Sequence, residues 1–106
     1  MNEVEVISSN FKDEVLTSNI PVLVDFWAAW CGPCRIVSPT VSTIAKEMEG
    51  TLKVAKINVD ESADLAGEYG VTGIPTLMLF REGEVCGTLV GVRPKQEILD
   101  MIKKNM

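Results

Sequence analysis

The sequence predicts an α/β domain in which one mixed sheet lies between helices, in the order β-α-β-α-β-α-β-β-α. Three observations lead there. Apolar runs of strand length alternate with segments of helical period along the 106 residues. Val22-Leu23-Val24-Asp25-Phe26-Trp27 is almost continuously apolar, as suits a central strand covered on both faces. Glu82-Gly83 separates two further apolar runs, a tight-turn signal that makes the second half an antiparallel hairpin, whereas the first half reads as parallel α/β units.

Val4 and Ile7 flank a short first strand, and Ser8 or Ser9 can cap a helix carrying Phe11, Val15 and Leu16. Pro21 opens the central strand. Val37, Val41, Ile44, Ala45 and Met48 then fall on one helical face, with Pro39 expected to kink the helix and Gly50 to end it. Leu52 to Val59 reads as a strand, followed by a short helix using Leu65 and Tyr69 and stopping at Gly70. Thr76 to Phe80 and Val85 to Val90 are the hairpin strands. Pro94 suits the first turn of a last helix, with Ile98, Leu99 and Ile102 inward and Lys103 and Lys104 at its favourable C-terminal end.

Residues 1–106 fit one domain, large enough to bury a core without disulfide staples or a structural metal. A formal charge of −5 argues against nucleic acid as a partner, since phosphate binding needs a basic face. The opening MNEVEVISSN lacks the basic head and apolar stretch of a signal peptide, and no apolar run approaches the roughly 20 residues that span a bilayer. These features point to a cytoplasmic protein with no membrane partner. In a reducing compartment a close cysteine pair is catalytic or metal-binding rather than a structural bridge. The chain has no histidine, so any general base is a carboxylate, a lysine, a thiolate or water.

Trp30-Cys31-Gly32-Pro33-Cys34-Arg35 follows the central strand and opens a helix. Cys31 then sits at a helix N-terminus, where unpaired N–H groups and the macrodipole favour the thiolate, the nucleophile of thiol–disulfide exchange. Cys34 should lie one turn in, better shielded, and suits a resolving thiol. Pro33 fits the first helical position, and Gly32 leaves room for another protein's backbone. The alternative is half of a zinc site. Zinc normally takes four ligands, and only one further cysteine is present, so completion would need carboxylates or another subunit.

WCGPC resembles the active-site motif of the thioredoxin family, and the resemblance runs over nearly the whole chain. It includes VDFWAAWCGPC, the helix with Pro39, VAKINVD, YGVTGIPTLMLF, and EGEV ahead of VGVRPK. It implies the thioredoxin fold, a five-stranded mixed sheet with helices on both faces, formed by residues 1–106 as a single thioredoxin domain. It also implies a redox disulfide between Cys31 and Cys34.

A carboxylate inside an apolar strand is costly unless paired, hydrogen-bonded or neutral, so burial should raise the pKa of Asp25 and make it a proton acceptor. The resemblance places it beneath the cysteines, assisting the buried thiol. The alternative is an aspartate turned to solvent at a sheet edge. Lys56 interrupts another strand; it either partners Asp25 or snorkels to water with its stem packed. Pro75 alone would read as an ordinary trans turn proline. The resemblance instead gives Ile74-Pro75 a cis bond against the cysteines and lets Ile74 pair its backbone with an extended substrate.

Trp30, Ile74, Pro75, Gly91 and Val92 then form an apolar rim around Cys31, with Gly32 and Pro33 beside it, for docking of protein disulfides. Trp30 could otherwise be core, and Trp27 is expected partly in the core, shielding the site. Two positions depart from the family: Val92, where many relatives are smaller, and Cys86, read as a buried small hydrophobe or as a site of dimerisation or oxidation. Arg35 replaces the commoner lysine and keeps its charge.

The resemblance implies a monomeric protein-disulfide reductase. Cys31 attacks a target disulfide, Cys34 resolves the mixed disulfide with help from Asp25, and a thioredoxin reductase restores the dithiol. No cofactor need bind this chain. The alternatives are an oxidase or isomerase of disulfides on the same fold, and a binding module acting structurally on a larger enzyme.

Overall fold

The computed structural model describes residues 3–106; Met1 and Asn2, within the span expected to form the domain, lie outside the described residues. The chain runs through β1 (Glu3–Glu5), a π-helical turn (Lys12–Leu16), β2 (Val22–Trp27), α1 (Gly32–Glu47), β3 (Lys53–Asn58), α2 (Ala63–Glu68), β4 (Thr76–Arg81), β5 (Glu84–Val90) and α3 (Lys95–Lys104). This is the order the sequence predicts. The five strands form one sheet, β1-β3-β2-β4-β5. β1, β3 and β2 are parallel, while β4 runs antiparallel to both β2 and β5.

Side chains alternate across a strand, so β2 feeds both layers. Val22, Val24 and Phe26 join Phe11, Val15, Leu65 and Phe80 beneath the π-helical turn and α2. Leu23 instead joins Val37, Val41, Ile44, Leu77, Ile98 and Ile102 beneath α1 and α3. Asp25 shares the parity of Leu23, and Lys56 that of Val54, so both side chains face the layer that holds α1. The register pairs Asp25 with Lys56 directly.

Several local expectations are corrected. Ile7 lies outside β1 and is exposed; Val6 is the residue that turns into the core. Neither Ser8 nor Ser9 caps the first helical segment: its N-cap is Phe11, and Ser8 Oγ instead donates to Asp64 at the start of α2. α1 starts at Gly32, which makes Pro33 its second residue rather than its first; Pro39 lies inside the helix as expected. β3 is shorter than Leu52 to Val59, and the hairpin strands reach Arg81 and Glu84. Cys86 is half-buried at a bulge: Leu79 pairs with Gly87 and Phe80 with Val85, leaving Cys86 as the extra residue.

Candidate active site

Cys31 is the N-cap of α1, in an extended conformation, and its Sγ accepts a hydrogen bond from the N–H of Cys34 at 3.1 Å. A sulfur in that position satisfies one of the unpaired donors of the helix start, and once reduced it would be held as thiolate by the same N–H and the macrodipole. Cys31 and Cys34 form a disulfide with Cα atoms 5.3 Å apart. The expectation that Cys34 is better shielded is not met in this state, since both residues are 3% exposed. The bonded pair and Ala28 form a small buried cluster against which Trp27, Val59 and Ile74 pack. Among the described residues, no group of three His, Cys, Asp or Glu side chains is placed to hold a metal ion.

The Ile74–Pro75 peptide bond is cis. Ile74 O lies 3.8 Å from Cys31 Sγ, and the N–H of Gly91 donates to Pro75 O at 2.8 Å. Gly91 has φ +89°, a left-handed turn open to glycine, and it brings the end of β5 beside Pro75. Val92 follows it and is exposed, as is Trp30 at 67%. Trp30 is therefore not core; its Nε1 donates to Asp60 Oδ2 at 2.9 Å, which fixes the indole over a groove of about 360 Å³ lined by Val59, Val71, Thr72 and Ile74. At Gly32 a side chain would project into open space, and Pro33 beside it is exposed. The groove thus joins Trp30 to Ile74, Ile74 O lies against Cys31, and Gly91 is tied to Pro75, which is itself buried rather than exposed on a rim.

On the central strand, facing the layer that holds α1, Asp25 is 1% exposed, which removes the reading of a solvent-facing edge aspartate. Neither carboxylate oxygen has a hydrogen-bond partner among the described residues. Burial pushes its pKa up to about 6, against the downward pull of Lys56, with Glu3 and Glu5 adding smaller upward pushes. Lys56 Nζ is 3.6 Å from Asp25 Oδ2, an ion pair longer than a hydrogen bond. The same ammonium donates to Ser38 Oγ at 3.0 Å and lies 5.6 Å from the Trp27 ring centroid. Of the two readings for Lys56, the geometry selects the partner of Asp25.

A cleft of about 340 Å³ opens here, lined by Trp27, Cys34, Arg35, Ser38 and Lys56. It brings Cys34 and Lys56 to one wall, while Asp25 itself does not line it. Arg35 does not point at the sulfurs; its Nη1 donates back to Ala29 O. Sequence reasoning missed Ser38 and Asp60. Ser38 stands four residues after Cys34 on α1, a polar residue on the sheet-facing side, and that spacing was the available signal. Asp60 carries no local signal, because its partner is 30 residues away.

A protein-family model described as Thioredoxin matches residues 2–104. The chain is 50% identical over 104 residues to a protein of Pyropia yezoensis named "Thioredoxin", covering 98% of this chain and 97% of the relative. It is also 50% identical over 101 residues to the "Thioredoxin" of Rickettsia felis, covering 95% and 96%. "Thioredoxin M-type, chloroplastic" of Chlamydomonas reinhardtii is 50% identical over 99 residues, 93% of this chain and 71% of the relative.

Proposed function

The chain belongs to the thioredoxin family and is a protein dithiol–disulfide oxidoreductase, and from that premise we propose that it works as a reductant recycled by a thioredoxin reductase. The observation that carries this reading is the Cys31 sulfur held as N-cap of α1 by the Cys34 N–H, with a buried carboxyl in the layer behind it. Helix-start stabilisation of a thiolate raises its population at neutral pH and so speeds attack on a target disulfide.

The steps follow. The Cys31 thiolate attacks one sulfur of the target disulfide; that bond breaks and one target thiolate leaves, forming a mixed disulfide. Asp25, ionised, takes the proton of Cys34 as its general base. The Cys34 thiolate then attacks Cys31 Sγ and releases the second target thiolate. The target gains two electrons and, from solvent, its protons. The chain holds the Cys31–Cys34 disulfide, which the reductase reduces with electrons from a nicotinamide-linked flavoprotein or from ferredoxin. Lys56 tunes Asp25. The rim of Trp30, Gly32, Pro33, Ile74, Pro75, Gly91 and Val92 holds the target's chain, with Ile74 offering backbone pairing. The protein acts as a monomer in the cytoplasm, where a dithiol can be kept reduced.

The deciding experiment equilibrates the Cys31–Cys34 pair with a series of dithiothreitol and glutathione redox buffers. A reductant stays oxidised until the buffer is strongly reducing. A pair that remains reduced in weakly reducing buffers donates disulfides instead, and the direction proposed here is then wrong. A Cys31→Ser, Cys34→Ser double variant that keeps a partner enzyme's activity would reveal a structural role.

A further inference from the structure

Ser38 takes no part in the steps above, yet its hydroxyl is joined to the group that faces the proton acceptor. It lies one turn beyond Cys34 on α1, half-buried, on the wall of the cleft shared by Cys34, Lys56 and Trp27. Its Oγ accepts from Lys56 Nζ at 3.0 Å, while Asp25 Oδ2 is 3.6 Å from the same nitrogen. A lysine ammonium is strongly hydrated and rides on a flexible stem, so beside an open cleft its default is to turn to water. Asp25 alone holds it only by an ion pair without a hydrogen bond. The serine hydroxyl adds a fixed acceptor on a helix and, being neutral, leaves the ammonium's charge to act on the carboxylate.

We propose that Ser38 is a positioning residue that anchors the Lys56 ammonium against Asp25 and thereby sets the pH at which the buried carboxyl ionises. This rests on the reading of Asp25 as the proton acceptor for Cys34. The other charged groups near Asp25 lie on β1 and α1. Glu3 and Glu5 on β1 oppose its ionisation, and Glu3 accepts from Ser42 Oγ at 3.2 Å. Arg35 on α1 is turned back to Ala29 O, and β4 places only the apolar Leu77 alongside. Lys56 is thus the cation whose distance from Asp25 can change, and Ser38 is what fixes it.

The test is a carbon-13 NMR titration of the Asp25 carboxyl in the disulfide form, where neither Cys31 nor Cys34 titrates. Ser38→Ala, a substitution that favours the helix, should raise the midpoint by about 0.5 pH unit as the ammonium leaves for water. Ser38→Thr, which restores the acceptor, should return it. In a Lys56→Met background Ser38→Ala should shift nothing further, because the effect runs through the ammonium. With Cys31 held in a mixed disulfide, its resolution by Cys34 should slow about threefold below the midpoint and stay unchanged near about pH 8.5. An unmoved or lowered midpoint in Ser38→Ala, or an equal shift without Lys56, overturns the proposal. A raised midpoint with an unaltered rate profile upholds the anchoring by Ser38 and instead removes Asp25 as the acceptor of the Cys34 proton.

Discussion

At the scale of single residues, Asp25 is the place where stability and chemistry oppose each other. Its ordinary pKa of 3.8 rises to about 6 in the fold, chiefly through burial. The folded state therefore binds the proton more tightly than the unfolded chain does. The stability this confers is fully present below about pH 4 and is lost as the pH rises through about 6. Asp25→Asn, close to isosteric and uncharged, should raise the unfolding free energy at about pH 8 by on the order of 3 kcal/mol, with no gain at about pH 4. Urea denaturation at both pH values checks this; an equal gain at both would trace the effect to packing. The same variant should slow mixed-disulfide resolution at neutral pH by roughly tenfold or more, since it removes the proposed base. The wild-type residue thus costs stability above about pH 6 that an uncharged amide would not.

At the scale of elements, the β4–β5 hairpin shows how much local chemistry decides. Glu82 and Gly83 both have positive φ, +54° and +82°, the conformation of a two-residue turn matched to the twist of its strands. Glu82 is an unfavourable occupant and Gly83 a required one. Glu82→Asn should stabilise the protein by about 0.5–1 kcal/mol. Gly83→Ala should cost about 1–2 kcal/mol, because its Cβ adds backbone strain and would stand 3.2 Å from Leu16 O. Thermal melts of the two variants should therefore move in opposite directions; a shift of the same sign would mean that the turn relaxes to another type. The hairpin was legible in the sequence because a turn is specified by its own residues, and α1 was legible because its buried face repeats at helical period. The capping of the first helical segment was not. Ser8 satisfies Asp64, 56 residues away, and nothing local distinguishes that partner from the nearby N–H groups. The bulge at Cys86 escaped for the same reason: it depends on a register that β4 imposes.

At the scale of the whole molecule, the disulfide is local but its surroundings are not. The cysteine pair and the buried carboxylate could be read from the chain, one from spacing and the other from a charge inside an apolar run. The rim came only through family resemblance, because it joins segments far apart: Trp30 to Asp60, and Gly91 to Pro75. Its composition has a consequence for target binding. Trp30 and Val92 are exposed apolar side chains on a molecule of formal charge −5, so attraction at the rim is short-ranged and apolar rather than electrostatic. Trp30→Ala should lower kcat/KM for a protein disulfide roughly tenfold, as loss of a central aromatic contact does. Reduction of a small soluble disulfide, which needs Cys31 but little of the rim, should change by less than about twofold. Raising the ionic strength to about 0.5 M should alter the protein reaction of the wild type by less than about threefold. Parallel steady-state assays with the two substrates separate the contributions. If both substrates slow equally in Trp30→Ala, the indole and its Asp60 partner act on the reactivity of Cys31 itself. The proposed docking surface would then be carried by the rest of the rim without the indole.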